Sequence, residues 1–245
     1  MWAIVPAAGV GQRIQPIACS KELLPVGHRF EGLTKRPKAV SEYLLERLVT
    51  AGATHICVVI SPDKTDMMEY FGERFLDVPI CYVVQAAPRG LCDAIFKAVP
   101  LVPAHDDVLF GLPDTIWFPH DALRALPEDA SSLLLFPVNH PCHFDAVLTT
   151  PEGHVLEVEV KVPAPRTHWI WGAGRLAGRD FQALYALWRE RQGRDEYLGT
   201  LFNAYLAAGG RLFGVRSGET YLDVGTYDGF RTAAVVLSDL ESQAS

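Results

Sequence analysis

The first 26 residues constrain this chain most strongly, because a short apolar run leads directly into a loop of small residues. Residues 2–6 read Trp-Ala-Ile-Val-Pro, and residues 7–13 read Ala-Ala-Gly-Val-Gly-Gln-Arg. Small residues let backbone N–H groups approach an anion closely, and Arg13 and Lys21 add fixed positive charge nearby. The segment therefore predicts a buried strand followed by a phosphate-binding loop.

Composition narrows the class of protein. The chain has 245 residues, of which 49% are hydrophobic and 21% charged, which is typical of an ordinary globular protein. The formal net charge of −7 disfavours nucleic acid as a partner, because no general field attracts a polyanion. Any phosphate site must therefore be built from a few local cations.

The sequence also indicates where the protein works. Met1 is followed by no basic segment and only a short apolar run, so no signal peptide is predicted. No apolar stretch reaches the roughly 20 residues that span a membrane. The five cysteines contain no CxxC pair, and free thiols suit a reducing compartment. We expect a cytoplasmic protein that does not cross a membrane.

Strand and helix signals alternate through the first 140 residues. Strand-like runs occupy residues 2–6, 55–61, 80–85, 107–111 and 133–138. Helical patterns occupy residues 37–51, 63–71, 90–99 and 120–126. This alternation predicts an α/β fold: a Rossmann-like, mostly parallel sheet with helices on both faces.

The second half of the chain has a different pattern. Residues 145–150 and 155–161 flank the turn Pro-Glu-Gly and predict a β-hairpin. Along residues 155–161, apolar and charged side chains alternate, which predicts that Leu156, Val158 and Val160 share one face. Further helices are predicted at residues 178–191, 197–208 and 228–240. The last of these has an apolar stripe that would pack inward or against a second copy, so a homo-oligomer is possible.

Three familiar sites are disfavoured by the residues present. The dinucleotide fingerprint G-x-G-x-x-G needs a glycine at position 14, where the chain has Ile14, so an NAD-dependent oxidoreductase is not expected. The P-loop tripeptide Gly-Lys-Ser/Thr does not occur. Residues 140–143 read His-Pro-Cys-His but lack a second ligand pair, which disfavours zinc.

The order of several motifs is more specific. Residues 7–16 read AAGVGQRIQP and residues 21–26 read KELLPV. Together they resemble the signature loop of the sugar-1-phosphate nucleotidylyltransferases, and they are most similar to the glucose-1-phosphate uridylyltransferases and thymidylyltransferases. The resemblance continues at matching intervals with Gln85 and Arg89-Gly90-Leu91, Leu112-Pro113-Asp114, Glu159-Val160-Lys161, Gly172, and Tyr221 through Thr226.

This resemblance implies a reaction and a set of roles. An oxygen of a sugar 1-phosphate would attack the α-phosphorus of UTP or dTTP and expel pyrophosphate, which depends mainly on positioning and charge neutralisation. Arg13, Lys21 and Asp114 would be catalytic, and Asp114 and Asp223 would hold Mg²⁺. The remaining substrate-binding residues implied are Ala8, Gly9, Gly11, Gln85, Gly90, Glu159, Lys161 and Gly172.

The resemblance also implies the organisation of the chain. We expect a single nucleotidyltransferase domain over residues 1–245, with a nucleotide-binding half at 1–140 and a sugar-phosphate-binding, closing half at 141–245. The expected partners are a nucleoside triphosphate and a sugar 1-phosphate.

The sequence departs from the family pattern at several points. The path from Arg13 to Lys21 is two residues shorter than usual, and residues 27–36 form a longer connection. Val160 replaces an acidic residue, and Asp145 stands where a glycine is common. These departures keep open an alternative, a non-catalytic homologue that binds nucleotides or nucleotide sugars.

Overall fold

The computed structural model describes residues 1–243 of the chain. Its strands are β1 (Trp2–Pro6), β2 (Pro25–Glu31), β3 (Thr34–Ala39), β4 (His55–Ile60), β5 (Arg74–Phe75), β6 (Val78–Val84), β7 (Val108–Gly111), β8 (Thr115–Phe118), β9 (Ser132–Pro137), β10 (Asp145–Thr149), β11 (Val155–Val160), β12 (Trp169–Leu176), β13 (Phe213–Val215) and β14 (Thr220–Asp223). Its α-helices are α1 (Val40–Thr50), α2 (Thr65–Phe71), α3 (Gly90–Phe96), α4 (Gly178–Glu190), α5 (Leu198–Ala207) and α6 (Tyr227–Gln243).

A ten-stranded sheet forms the centre of the fold. Its strand order is β11-β10-β12-β7-β1-β4-β6-β5, with β9 paired to β12 and β13 paired to β9. Strands β7, β1, β4 and β6 run parallel, which confirms the α/β class with a Rossmann-like centre. Strand β12 is antiparallel to β7, β9 and β10, so the sheet is continuous across the expected boundary at residue 140. The division into two halves stays a prediction.

Helices cover both faces of the sheet, as expected, and β1 shows why its sequence is continuously apolar. Ala3 and Val5 belong to the core under α1 and α2, whereas Ile4 belongs to the core under α3, α4 and α5. All three side chains are fully buried. Neighbouring side chains of a strand point to opposite faces of the sheet. When both faces are covered, all of these side chains are buried and the sequence is apolar throughout.

The segment between the loop after β1 and α1 forms an antiparallel hairpin that the sequence analysis missed. Strands β2 and β3 pair with each other alone, and Gly32 turns between them with φ of 60°. The helix expected at residues 37–51 therefore begins only at Val40, because the residues before it extend along β2. The backbone N–H of Ala39 donates a hydrogen bond to the Glu42 carboxylate at 2.8 Å, and this cap marks the start of α1.

The β10–β11 hairpin is confirmed, and Val158 and Val160 share one face as predicted, but the prediction is wrong for Leu156. Val155 and Val158 are buried, whereas Leu156 is 63% exposed. The cause is a register shift after Leu148 of β10. Leu148 pairs with Glu157 and Thr149 pairs with Val155, so Leu156 is an extra residue of β11.

The helices predicted for the second half are confirmed to within a few residues, whereas residues 120–126 contain only a 3-10 turn at Ala122–Ala125. The stripe on α6 faces inward, where Ala233 and Leu237 pack with Val26 of β2. A homo-oligomer therefore stays a prediction. Within residues 1–243, no helix is both long and apolar enough to cross a membrane.

Strands β8 and β14 form a separate antiparallel ladder that is anchored by α1. Arg47 of α1 is 3% exposed and donates two hydrogen bonds to the carbonyl oxygen of Trp117 in β8, the longer at 3.1 Å. It donates a third bond to the carbonyl of Tyr43. Burial lowers the pKa of Arg47 to about 10, so the guanidinium keeps its charge at neutral pH. The buried guanidinium of Arg47 thus attaches the β8–β14 ladder to α1.

Replacing Arg47 with methionine is expected to lower the free energy of unfolding by about 2–4 kcal/mol, because the buried carbonyl of Trp117 loses its donors. Arg47→Lys keeps the charge but not the two-pronged geometry, and we expect it to recover less than half of the loss. Urea denaturation followed by tryptophan fluorescence measures both variants. Stabilities within about 0.5 kcal/mol of the wild type for both would contradict this role.

Candidate active site

A cleft opens at the carboxyl ends of the parallel strands. Ala8 and Gly9 follow β1, Gln85 follows β6, and Asp114 follows β7. Carboxyl ends of neighbouring parallel strands meet at the same edge of a sheet, where α/β folds bind their ligands. The cavity measures about 490 Å³ and all four residues line it.

Most residues implied by the sequence come together in this cleft. The cavity is lined by Ala8, Gly9, Arg13, Lys21, Gln85, Gly90, Asp114, Lys161 and Asp223. Gly11, Glu159 and Gly172 do not line it. The functional roles of the whole set stay predictions, and the geometry says what each residue is placed to do.

The β8–β14 ladder brings the two aspartates together. Asp223 pairs with Thr115, the residue next to Asp114, and the N–H of Val224 donates to the carbonyl of Asp114 at 2.9 Å. Gly225 lies between the two carboxylates: a Cβ there would stand 2.7 Å from Asp114 Oδ2 and 3.0 Å from Asp223 Oδ1. Both carboxylates therefore converge on one point, and only glycine leaves that point free.

Each carboxylate is paired with a cation from the segment that follows β1. Lys21 Nζ donates to Asp114 Oδ2 at 2.5 Å, and Arg13 Nη1 lies 3.2 Å from Asp223 Oδ2. The shortened path from Arg13 to Lys21 therefore still delivers the lysine into the cleft. The first pair is largely enclosed, whereas the Arg13 side chain is 59% exposed and its pair is weakened by solvent.

Burial and charge act in opposite directions on the Lys21–Asp114 pair. Burial favours the neutral form of both groups, but each charge stabilises the other. The pKa of Asp114 consequently lies below its ordinary value and the pKa of Lys21 lies above its ordinary value. Both groups are ionised at neutral pH, so the cleft contains a formed ion pair.

The carboxylate pair suits Mg²⁺. Hard oxygen donors are the ligands this cation prefers, and it commonly takes one or two carboxylates with phosphate oxygens and water. Over residues 1–243 no group of three or more His, Cys, Asp or Glu side chains is arranged to hold a metal ion. A cation between Asp114 and Asp223 would complete its coordination with water or with oxygen atoms of a ligand.

Glycine is required in the loop itself at position 11. Gly11 has φ of 69°, in the left-handed region, and a Cβ there would lie 2.8 Å from Cδ of Lys21. A side chain would therefore strain the backbone and displace the lysine. Gly11 thus acts by making room for Lys21, although it does not line the cleft.

A buried ion pair behind the loop escaped the sequence analysis. Lys64, just before α2, places Nζ 2.7 and 2.8 Å from the two carboxylate oxygens of Glu22, and it also donates to the carbonyls of Ala7 and Gly9 at 2.6 and 2.7 Å. Glu22 is fully buried and Lys64 is 6% exposed. Burial raises the pKa of Glu22 above its ordinary value, although Lys64 opposes that shift. A lysine four residues after the end of the buried parallel strand β4 was the available signal.

The hydrogen bonds from Lys64 fix the direction of two carbonyl groups in the loop, those of Ala7 and Gly9. With the oxygens of residues 7 and 9 turned back onto Lys64, the adjoining backbone is held in one orientation at the edge of the cleft.

Gln85 and Gly90 form one wall of the cleft. Gln85 is 4% exposed, and its Nε2 donates to Asp93 at 2.7 Å and to the carbonyl of Gly90 at 3.2 Å. These bonds hold the amide and leave its oxygen for a ligand. Gly90 has φ of 87°, and a Cβ there would lie 2.8 Å from Cα of Glu196, so glycine lets the two chain segments touch.

Lys161 also lines the cleft, but Glu159 does not. Lys161 follows β11 with φ of 49°, and its Nζ lies 5.8 Å from the ring centre of Tyr197, which also lines the cleft. Glu159 instead accepts from Arg166, at 2.6 Å from the side chain and 2.9 Å from the backbone N–H. Arg166 also bonds Glu157, so the two glutamates lie on one side of β11, whereas Lys161, just past the end of the strand, lines the cleft.

Gly172 contributes indirectly. The register of β12 against β9 shifts between Trp171 and Ala173, so Gly172 is the extra residue of a bulge. A Cβ on Gly172 would lie 2.3 Å from Cε2 of Tyr221, and both Tyr221 and Trp171 line the cleft. The glycine thus makes room for the tyrosine ring in the cleft wall, and its expected role in substrate binding stays a prediction.

Comparisons with known proteins agree with this geometry. The family model described as nucleotidyl transferase matches residues 2–141. Glucose-1-phosphate thymidylyltransferase of Mycobacterium tuberculosis (strain H37Rv) is 28% identical over 251 residues, covering 98% of this chain and 83% of that protein. UTP–glucose-1-phosphate uridylyltransferase AglF of Haloferax volcanii is 23% identical over 233 residues, covering 92% of this chain and 91% of its own.

Two solved structures share the fold. A putative glucose-1-phosphate thymidylyltransferase from Bacillus anthracis, in complex with sucrose, has a TM-score of 0.81 at 23% identity, covering 97% of this chain and 95% of its own. UTP-bound UGPase from Acinetobacter baumannii has a TM-score of 0.74 at 20% identity, covering 96% of this chain and 92% of its own.

Lys64→Met is expected to lower the free energy of unfolding by about 3–5 kcal/mol, because it leaves the buried Glu22 carboxylate without its partner. The double variant Lys64→Met, Glu22→Leu removes both charges and should recover the part of that loss that comes from the unpaired carboxylate, while the carbonyls of Ala7 and Gly9 still lack this donor. Chemical denaturation measures both. A double variant as unstable as the single one would show that the ion pair is not the cause.

Proposed function

The chain belongs to the nucleotidyl transferase family, and we propose that it transfers a uridylyl or thymidylyl group to a sugar 1-phosphate with the help of Mg²⁺. The products are a nucleotide sugar and pyrophosphate. One observation carries the proposal: two carboxylates converge on one point beside the loop after β1, and Lys21 and Arg13 meet them there. The expected magnesium dependence and the substrate class are both part of this proposal.

The two cations have distinct tasks in this reaction. Lys21, enclosed beside Asp114, is placed to contact the α-phosphate, where negative charge accumulates during in-line attack. Arg13 is the more exposed of the two, and its planar guanidinium suits the departing pyrophosphate. Backbone N–H groups of Ala8, Gly9 and Gly11 would hold the triphosphate beside them.

Mg²⁺ bound by Asp114 and Asp223 would neutralise phosphate charge and align the reacting oxygens. Lys21 and Arg13, which pair with these carboxylates in the free protein, would be placed to contact the phosphate oxygens. The ion pairs of the free protein thus keep the cations in place until a substrate arrives.

Gln85 and Lys161 would bind different substrates in the cleft. The amide oxygen of Gln85 can accept the N3–H of uracil or thymine, which both bases present. The ammonium of Lys161 would bind the phosphate of the sugar. Together these two groups would bring the acceptor oxygen to the α-phosphorus.

The partners in this proposal are a nucleoside triphosphate, UTP or dTTP, and a sugar 1-phosphate. Nucleic acid and membranes have no part in it. Cytoplasmic location and a homo-oligomeric state stay predictions.

Pyrophosphate release tests the proposal directly. The purified protein is incubated with each of the common nucleoside triphosphates and a panel of sugar 1-phosphates, with Mg²⁺ or with a chelator. We expect release with UTP or dTTP that requires both the sugar phosphate and the metal. Nucleotide binding by calorimetry without any turnover would instead support the non-catalytic homologue, and would contradict the proposed reaction.

Asp114→Asn is expected to lower kcat by 10²-fold or more, because one element of charge stabilisation at the reacting phosphate is lost. The matched control is Asp121→Asn, an exposed aspartate that does not line the cleft. Steady-state rates of pyrophosphate release measure both variants. An Asp114→Asn enzyme that works as fast as the control would refute the role of this carboxylate.

A further inference from the structure

A second cavity lies between α3 and α4, and we call it the α3–α4 cavity. It measures about 510 Å³, which falls in the range of about 300–1,000 Å³ typical of small-molecule sites. None of the residues that line it also lines the active-site cleft. The α3–α4 cavity is therefore a separate space, which the proposed transferase reaction does not use.

The α3–α4 cavity is positively charged, although the chain has a formal net charge of −7. Its basic residues are Arg89, Lys97 and Arg189, and its single acidic residue is Asp93. Both carboxylate oxygens of Asp93 are engaged: Oδ2 accepts from Gln85 at 2.7 Å, and Oδ1 lies 3.6 Å from Lys97 Nζ. Among residues 1–243, neither arginine is paired with a carboxylate. This local excess of positive charge favours an anionic ligand.

Three aromatic rings line the same cavity. They belong to Phe96 of α3 and to Tyr185 and Trp188 of α4. The ring centres of Phe96 and Trp188 are 5.4 Å apart, and the rings of Tyr185 and Trp188 stack at 6.3 Å with their planes 28° apart. Tyr185 and Trp188 are only partly buried. Aromatic faces of this kind stack with planar rings of a ligand, as they do with nucleobases.

The cationic and aromatic groups are held next to each other. Arg189 Nη1 donates to the hydroxyl of Tyr185 at 3.2 Å, and its guanidinium carbon lies 5.9 Å from the centre of that ring. Trp188 Nε1 donates to the carbonyl of Asp195 at 3.3 Å, which fixes the indole. Gly193 keeps space beside the indole, because a Cβ there would lie 3.1 Å from Trp188 Cζ2. The cavity thus suits a ligand that has both a ring and an anionic group.

We infer that the α3–α4 cavity is a second ligand site, which binds a phosphorylated molecule with a planar ring, such as a nucleoside monophosphate. Its phosphate would contact Arg89 and Arg189, since the guanidinium fork offers parallel N–H donors to phosphate oxygens. Its ring would stack against Trp188. A neutral ring would leave both arginines without an anion, and inorganic phosphate would leave the aromatic faces in water.

Calorimetric titration of the full chain with AMP tests the inference, and adenosine and inorganic phosphate serve as separate probes of its two parts. AMP should bind at least about tenfold more tightly than either, because it engages the rings and the cations together. Arg89→Gln and Arg189→Gln should each weaken AMP binding by about tenfold, since each removes a charge-assisted contact. The matched control is Arg179→Gln, an exposed arginine of α4 outside the cavity, and it should change the affinity by less than about twofold.

Tryptophan fluorescence gives a readout at the site itself, because Trp188 is the one tryptophan that lines the α3–α4 cavity among residues 1–243. AMP stacked on this indole should quench its emission, and Trp188→Phe should abolish the quenching. Phenylalanine keeps a ring at this position, so calorimetry should still detect AMP binding to the variant. Quenching that persists in Trp188→Phe would contradict the inference.

A variant of the active-site cleft shows whether AMP binds there instead. Arg13→Gln removes an exposed cation of the cleft and should leave AMP affinity within about twofold of the wild type. If Arg13→Gln weakens AMP binding and the Arg89 and Arg189 variants do not, AMP lies in the cleft and the inference is wrong. It is also wrong if AMP binds the wild type no more tightly than adenosine or phosphate. Neither result bears on pyrophosphate release, so the proposed function is tested separately.

Discussion

The antiparallel pairing of β8 with β14 is the constraint on which the rest of the site depends. It brings Asp114 and Asp223 to one point from distant parts of the chain, and two such carboxylates would repel each other without compensation. Lys21 and Arg13 supply that compensation, so the loop after β1 and the ladder stabilise each other. The same arrangement explains why position 225 is glycine, since a Cβ there would fill the space between the acids.

The site is largely formed before any substrate is present. Lys64, which is paired with Glu22, donates hydrogen bonds to two carbonyl groups of the loop. Arg47 donates to the carbonyl of Trp117 in the ladder. Catalysis of phosphoryl transfer depends on charges that are already aimed at the reacting oxygens, because reorienting them during the reaction raises the barrier. The buried Lys64–Glu22 pair and the anchored ladder therefore act as rigid support for the side chains that line the cleft.

The sequence predicted what is encoded locally. Strand β1 and its loop follow from a continuous apolar run and a cluster of small residues, and the parallel centre follows from alternating strand and helix patterns. Strand β12 was missed because its glycines and tryptophans have no clear period, and only its pairing with β7, β9 and β10 makes it a strand. The bond between Lys64 and Glu22 joins residues 42 positions apart, and no periodicity reports such a contact. The order of the motifs predicted that Asp114 and Asp223 belong to one site. Only the three-dimensional structure shows the β8–β14 ladder that joins them.

The most direct measurement is the position of the divalent cation. Crystals of the protein grown with Mn²⁺ in place of Mg²⁺ and a non-hydrolysable UTP or dTTP analogue would locate the metal by anomalous diffraction. We predict one anomalous peak bound by Asp114, Asp223 and phosphate oxygens, with Lys21 released from Asp114 to the α-phosphate. A nucleotide bound in the cleft with its cation away from both aspartates, or with Lys21 still paired to Asp114, would contradict the account.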